Sequence, residues 1–126
     1  MFELKISAHF SSAHRILEYP GKCANTHGHN WNVDVIVQAQ ELNRIGLAVD
    51  FADLRKWLKD VIEPLDHVNL NDLPQFSTVE TNPTAENLSR YIYNELRGRV
   101  RNAAPHVSIK RVDLYETDTC SASYFE

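Results

Sequence analysis

Apolar and polar residues alternate in the N-terminal stretch Phe2-Glu-Leu-Lys-Ile-Ser-Ala-His-Phe-Ser-Ser-Ala-His14, which carries the clearest structural signal of the sequence. The even-numbered residues from Phe2 to Phe10 are apolar, whereas the odd-numbered residues between them are polar. Successive side chains of a strand point to opposite faces, so the pattern predicts a half-buried β-strand over residues 2–14. The same phase places His14 on the covered side.

A second alternating segment follows a loop that is marked by Pro20-Gly21. The odd-numbered residues from Trp31 to Ala39 are apolar and predict a second strand. His27 and His29 share this odd phase, so they extend the covered face backward if the strand extends too. Pairing the two strands antiparallel would gather these two histidines and His14 near one end.

Two helices are predicted in the middle of the chain. Asp50 can cap a helix that runs to about Glu63, where Pro64 disfavours continuation. Thr84 can cap a second helix, whose apolar stripe is expected to disperse over 98–105. Both segments carry apolar residues at the i, i+3, i+4 spacing of an amphipathic helix.

The tail of the chain has strand character again. Its apolar residues change phase near Lys110, which predicts a bulge there, and a short last strand is predicted over 121–125. The order ββααββ predicts an α+β fold with a four-stranded antiparallel sheet and two helices on one face. Residues 1–126 are expected to form a single domain.

Composition and charge argue against several classes of function. The 126 residues carry 17 acidic and 13 basic side chains, a formal charge of −4, which disfavours binding to nucleic acid or to an anionic membrane. No apolar run approaches the roughly 20 residues of a membrane span, and the N-terminus lacks the apolar stretch of a signal peptide. We therefore expect a cytoplasmic protein in which Cys23 and Cys120 are free thiols.

The histidines predict a metal centre. Residues i and i+2 of a strand point the same way, so His27 and His29 can reach one ion, and His14 can supply a third imidazole. Three neutral imidazoles with an open fourth position suit a catalytic Zn²⁺. The alternative is that the three histidines are polar side chains at the rim of the sheet.

Cys23 lies four residues before His27 and has three interpretations. It could be a fourth zinc ligand, which would make the site closed and structural. It could instead act away from the metal as a base or nucleophile, activated by nearby positive charge. It could also be a small buried side chain, although Lys22 and the polar loop argue against deep burial. The spacing leaves these alternatives open.

Three further residues attract attention for their chemistry. Asp66 and His67 follow the first helix and form either a proton relay or a pair on the surface. Glu116 ends the third strand in phase with the covered face, where a carboxylate needs a salt bridge or a ligand as partner. Cys120 and His106 belong to no pattern and receive no role.

Five motifs follow one another from the first strand to the last: Phe10-Ser-Ser-Ala-His14-Arg, Cys23-x3-His27-Gly-His29-Asn, Leu65-Asp66-His67-x-x-Leu70-Asn71-Asp72, Pro83-Thr84-x-Glu86-Asn87 and Glu116-Thr117. Together they resemble the 6-pyruvoyl-tetrahydropterin synthase superfamily. Within it, the resemblance is strongest to the 6-carboxy-5,6,7,8-tetrahydropterin synthases of queuosine (7-deazapurine) biosynthesis, the QueD type.

The resemblance implies a tunnelling fold (T-fold), in which subunits join their sheets into a barrel. It also implies a homohexamer made of two trimers, with active sites at the subunit interfaces. By motif position, the three histidines would hold zinc and Cys23 would be the general base. His67 would be the relay partner of this base, oriented by Asp66, and Glu116 would anchor the pterin ring.

The activity implied by the resemblance is that of a zinc-dependent lyase. It converts 7,8-dihydroneopterin triphosphate to 6-carboxy-5,6,7,8-tetrahydropterin and releases acetaldehyde and triphosphate. The residues Glu116-Thr-Asp-Thr-Cys120 depart from the synthases of tetrahydrobiopterin biosynthesis, which favours the carboxy-forming type. Two alternatives stay open: a pyruvoyl-forming synthase, which eliminates triphosphate without losing acetaldehyde, and a non-catalytic protein that binds zinc or a pterin.

Overall fold

The regular elements follow one another in the order ββααββ in a computed structural model that describes every residue from Met1 to Glu126. They are β1 (Phe2–His14), β2 (His27–Ala39), α1 (Phe51–Ile62), α2 (Ala85–Ala103), β3 (Val107–Thr117) and β4 (Cys120–Tyr124). The four strands form one antiparallel sheet in the order β1-β2-β3-β4. The predicted α+β class and element order are confirmed.

The covered face of the sheet arises from the alternation in β1 and β2. Phe10 and Trp31 lie directly opposite each other in the register, are almost fully buried, and have ring centroids 6.0 Å apart. The buried stripes of both helices join the same core: Leu54, Leu58, Val61 and Ile62 of α1, and Leu88, Ile92, Leu96 and Val100 of α2. The prediction that two helices cover one face is therefore confirmed.

Both helices begin at the predicted caps. The Asp50 carboxylate accepts a hydrogen bond from the Ala52 N–H at 2.8 Å, and Oγ1 of Thr84 accepts one from the Asn87 N–H at 3.1 Å. α2 ends within the expected range, but Gly98 does not interrupt it. The buried residues on either side of Gly98 pack on the sheet, and this outweighs the roughly 1 kcal/mol that a glycine costs in a helix. Neither helix is long and apolar enough to cross a membrane.

Two irregularities shape β3. Ile36 of β2 pairs with Arg111 and the next residue pairs with Ile109, so Lys110 is the extra residue of a bulge, as predicted. A second register shift lies where β3 meets β4 and leaves Glu116 without a partner in the pairing. The sequence did not indicate this second bulge. The bulge sets the direction of the Glu116 side chain, a candidate site residue.

The opposite face of the sheet is polar and is not covered by the helices. A row across all four strands consists of Ser7, Asp34, Asp113 and Ser123 in register. The two serine hydroxyls donate to the neighbouring aspartates at 2.6 and 2.5 Å, and Nε of Arg111 donates to Asp113 at 3.1 Å. The sheet therefore has one apolar and one hydrogen-bonded polar face.

Candidate metal centre and active site

Three imidazoles meet where β1 ends and β2 begins. His14, the last residue of β1, is directly opposite His27, the first residue of β2, in the register. The ring centroids of the three histidines are 4.6 Å (His14–His27), 5.1 Å (His14–His29) and 4.8 Å (His27–His29) apart. Glu116 joins them from β3, and one ligand atom from each of the four residues lies within 4.8 Å of the others. The strand phases thus bring together the histidines that the sequence singled out.

Backbone carbonyls fix the tautomers of two of these histidines. Nδ1 of His14 lies 2.7 Å from the Pro83 carbonyl oxygen, and Nδ1 of His27 lies 2.7 Å from the Asn25 carbonyl oxygen. A carbonyl oxygen only accepts, so both Nδ1 atoms carry the proton, and in a neutral ring Nε2 then carries a lone pair. The two Nε2 atoms are 3.0 Å apart. Two lone pairs at this distance repel each other unless a cation lies beside both.

The third histidine is also arranged as a ligand. Nε2 of His29 is buried without a hydrogen-bond partner, although Oε1 of Glu116 lies 3.2 Å away. The two atoms are close enough for an ion pair but do not have the angle of a hydrogen bond. Burial lowers the pKa of His14 and of His29, which favours the neutral form that binds metals.

The donor set fits a zinc ion. Tetrahedral Zn²⁺ with bonds of about 2.0–2.1 Å places its ligand atoms about 3.3–3.4 Å apart. The 3.0 Å between the two Nε2 atoms and the 3.2 Å from His29 to Glu116 are near this spacing. Three imidazole nitrogens with a carboxylate or an open position are a usual zinc environment. The role of His14, His27 and His29 as zinc ligands stays a prediction that this geometry supports.

Cys23 lies in the loop that leads to these ligands. It is the middle residue of a single 3₁₀ turn (Lys22–Ala24), is half-buried, and carries a free thiol. Its carbonyl oxygen accepts a hydrogen bond from the Ile16 N–H at 2.8 Å, which ties the loop back to the exit of β1. The thiol is not part of the four-residue ligand group, so the arrangement favours an interpretation in which it acts away from the metal.

Asp66 and His67 lie within ion-pair distance of each other, which sequence adjacency alone did not guarantee. Nδ1 of His67 lies 2.8 Å from Oδ1 of Asp66, which also accepts from the Ser11 N–H at 2.9 Å. The hydrogen bond from Ser11 lowers the pKa of Asp66. His67 has a φ of 57° and donates its N–H to the Ser11 carbonyl at 2.6 Å. A non-glycine residue in this region is often held there by function.

The pair and the histidine cluster are separate within one chain. The side chain of His67 is 82% exposed, and no hydrogen bond joins it to Cys23, to Glu116 or to the three ligand histidines. A groove of about 510 Å³ between β1, β2 and residues 67–69 is lined by both His29 and His67. The groove therefore gives the two groups a common surface without direct contact.

Sequence reasoning missed two carbonyls and one bulge that orient this site. The Asn25 and Pro83 carbonyls lie in loops, and only Pro83 had a signal, as part of the Pro83-Thr84-x-Glu86-Asn87 motif. The bulge at Glu116 had no signal.

Comparisons with known proteins agree with this geometry. The family model described as 6-pyruvoyl tetrahydropterin synthase matches residues 3–126. The 6-pyruvoyl tetrahydrobiopterin synthase of Homo sapiens is 36% identical over 123 residues, which cover 86% of this chain and 81% of the relative. The 6-carboxy-5,6,7,8-tetrahydropterin synthase of Aquifex aeolicus is 32% identical over 124 residues, which cover 83% and 76%.

A solved structure has the same fold. The 6-pyruvoyl tetrahydropterin synthase of Caenorhabditis elegans superposes with a TM-score of 0.86 at 28% identity and covers 99% of this chain and 95% of its own. This likeness confirms the T-fold that the sequence motifs implied. On the match of nearly the whole chain to the family model and on these relatives, the chain belongs to the 6-pyruvoyl tetrahydropterin synthase family.

Proposed function

We propose that this protein is a zinc-dependent lyase that converts 7,8-dihydroneopterin triphosphate to 6-carboxy-5,6,7,8-tetrahydropterin and releases acetaldehyde and triphosphate. The observation that carries the proposal is the convergence of three imidazole nitrogens beside Glu116 in a chain of this family. The name of the Aquifex aeolicus relative supports the carboxy-forming reaction and hence a role in queuosine biosynthesis.

The proposed roles follow the positions of the side chains. His14, His27 and His29 hold the ion, which supplies Lewis-acid polarisation of the substrate's side-chain hydroxyls when bound. Cys23, in the half-buried loop beside them, takes the proton from carbon as a thiolate.

Asp66 and His67 act as a unit in this scheme. The carboxylate holds the imidazole by its Nδ1, so that Nε2 is free to carry a proton to or from a substrate oxygen. The hydrogen bond from Ser11 keeps Asp66 ionised, and an ionised partner stabilises the imidazolium that forms during proton transfer.

Glu116 is proposed to hold the pterin ring. Its carboxylate is partly exposed at the bulge of β3, and a carboxylate matches the adjacent N–H and amino donors of a pterin in a bidentate way. The proximity to His29 then places the ring next to the ion, where the side chain of the substrate must react.

The proposal includes assembly into a homohexamer of two trimers with active sites between subunits. The Asp66–His67 pair is exposed and shares an open groove with His29, which a second copy would close over the substrate. The sheet has open edges at β4 and along the N-terminal part of β1, whose closure into a barrel would satisfy unpaired backbone groups.

A pyruvoyl-forming synthase is the second candidate. The relatives from Homo sapiens and Caenorhabditis elegans carry that name at 36% and 28% identity. The two reactions share the elimination of triphosphate and differ in the loss of acetaldehyde. A third candidate, a non-catalytic zinc or pterin binder, has no turnover.

Product analysis separates the three candidates. Purified protein is loaded with Zn²⁺ and incubated with 7,8-dihydroneopterin triphosphate, and the products are identified by mass. We expect acetaldehyde and a carboxy-pterin in equal amounts, and neither with the His29→Ala variant. A pyruvoyl product without acetaldehyde would support the second candidate, and unchanged substrate with the zinc-loaded protein would support the third.

A further inference from the structure

The chain that leaves β1 after His14 is held by two asparagine side chains. Oδ1 of Asn71 accepts from the Arg15 N–H at 2.8 Å, and its Nδ2 donates to the Arg15 carbonyl at 3.0 Å. Asn82 does the same to Leu17, at 2.9 Å for the N–H and 3.1 Å for the carbonyl. Each amide thus pairs with both backbone groups of one residue, as a neighbouring strand would.

These contacts continue a pattern along the edge of β1. The outward backbone groups of Ser11 bond to the Asp66–His67 pair, and the N–H of Ala13 donates to the Val68 carbonyl at 3.0 Å. Every second residue from 11 to 17 is therefore bonded to the segment 66–82. Before His14, most of these bonds come from main-chain groups of the segment 66–82. After His14, they come from the side-chain amides of Asn71 and Asn82.

Asn82 differs from Asn71 because it precedes the residue that orients a metal ligand. The Pro83 carbonyl accepts the Nδ1 proton of His14, and Asn82 is only 7% exposed. On the other side, the Asn82 carbonyl accepts from Nδ2 of Asn87 at 2.9 Å and from the Thr84 N–H at 2.7 Å. The Pro83 carbonyl is thus fixed between the exit of β1 and the first turn of α2.

The position of the Pro83 carbonyl controls the tautomer and the orientation of the His14 imidazole. The proton on Nδ1 decides that Nε2 carries the lone pair, and a shift of the Pro83 carbonyl would release both the tautomer and the ring orientation. His14 is almost fully buried, so water does not replace this acceptor readily. The two hydrogen bonds from the Asn82 side chain to Leu17 keep the Pro83 carbonyl oxygen within hydrogen-bond distance of Nδ1 of His14.

We propose that Asn82 is a positioning residue of the metal centre: its side-chain amide holds the Pro83 carbonyl against His14 and so keeps Nε2 of His14 directed to the ion. This inference rests on the metal centre of the proposed function. It assigns to Asn82 no contact with substrate, whereas Asn71 serves only to hold the chain.

Zinc affinity, measured by competition with a chromophoric chelator, tests the proposal without any assay of activity. Loss of a group that orients a metal-binding histidine typically lowers metal affinity 10- to 100-fold, and we expect this for Asn82→Ala. Asn87→Ala loosens the same segment from the side of α2 and should lower the affinity several-fold. Asn71→Ala removes a matched clamp one residue from His14 and should leave the affinity within about twofold.

The tautomer of His14 is the second measurement. In the metal-free wild type and in Asn71→Ala, ¹⁵N shifts of the imidazoles should show His14 protonated at Nδ1. In Asn82→Ala and Asn87→Ala the Nδ1 proton should be partly lost to the other tautomer. A residue that only stabilises the fold would not change this ratio.

The outcomes separate this inference from the proposed function. A wild-type protein that binds no Zn²⁺ at the histidines would contradict the metal centre itself. Tight binding by the wild type with unchanged affinity and tautomer in Asn82→Ala would overturn the role of Asn82. Equal losses in Asn71→Ala and Asn82→Ala would overturn it too. If Asn82→Ala does not fold, as judged by circular dichroism, Asn82→Ser gives the decision, because its shorter side chain keeps a polar group but cannot reach both backbone groups of Leu17.

Discussion

At the level of single residues, the metal-binding ability of the site comes from burial and from two carbonyl acceptors at the Nδ1 atoms of His14 and His27. The Asn25 and Pro83 carbonyls leave Nε2 of His14 and of His27 without protons at 3.0 Å from each other. Such an arrangement is unfavourable without a cation and favourable with one. We therefore expect metal binding at these two nitrogens to stabilise the folded protein.

Two substitutions distinguish the proposed role of Cys23 as a base from that of His29 as a zinc ligand. Cys23→Ala should lower kcat about 10²- to 10⁴-fold, the usual effect of losing a positioned base, with one zinc per subunit retained. His29→Ala removes a ligand and should lose zinc. Metal analysis and single-turnover rates on both variants check this. A Cys23→Ala variant without zinc would show that the thiol is a ligand, and full zinc in His29→Ala would contradict the assigned centre.

The metal-free protein should become less stable as the pH falls. Burial lowers the pKa of His14 and of His29 below the ordinary value of 6.5, so the unfolded chain binds more protons than the folded chain in that range. The stability present above pH 6.5 is lost as the pH falls through 6.5 toward the lower folded values. Urea unfolding at pH 7.5 and 5.5 measures the change, and His29→Gln should show a smaller one. An equal urea midpoint at both pH values would contradict the expectation.

At the scale of elements, the ends of strands and helices carry the site. β1 and β2 supply the ligands at their paired ends, β3 supplies Glu116 at a bulge, and the segment before α2 supplies the Pro83 carbonyl. A bulge turns one side chain away from the regular alternation. Each element therefore contributes where its own regular hydrogen bonding stops.

The N-cap of α2, Thr84, should contribute to the stability of the fold. Thr84→Ala removes the acceptor for the Asn87 N–H and should lower the free energy of unfolding by about 1 kcal/mol. Asp50→Ala at the cap of α1 is the matched control, with an effect of similar size. Chemical denaturation measures both. Unchanged stability of Thr84→Ala would mean that the cap does not contribute.

For the molecule as a whole, the candidate site lies along an open groove that is lined by His29 of the histidine cluster and by His67 of the Asp66–His67 pair. The histidine cluster lies on the helix-covered side of the sheet, and the exposed Asp66–His67 pair is bound to the edge of β1. The polar face, the edge of β4 and the N-terminal part of the β1 edge are open to other copies. Assembly is thus expected to be a condition of activity.

Activity should follow the oligomer. Sedimentation velocity at assay concentration should show a hexamer, and dilution that dissociates it should abolish turnover while the histidines retain zinc. The physical reason is that the groove shared by His29 and His67 is open in one chain, so a second subunit is expected to close it over the substrate. A fully active monomer would contradict this expectation.

Local sequence patterns were sufficient to predict the elements and the grouping of the histidines. Alternation with a period of two placed His14, His27 and His29 on one face, and the caps at Asp50 and Thr84 predicted where both helices begin. These features depend on the local geometry of a strand or a helical turn, so neighbouring residues suffice to predict them. The bulge at Lys110 was readable for the same reason, as a change of phase within one strand.

The orientation of the site, by contrast, depends on contacts between distant parts of the chain. The acceptor of the His14 proton is 69 residues away along the chain, and the Glu116 bulge depends on how β3 meets β4. The separation of the Asp66–His67 pair from the metal ligands likewise depends on the bonds of that pair to Ser11. Such contacts join segments that are distant in sequence, and packing of the whole chain sets their distances, so no local pattern of residues encodes them.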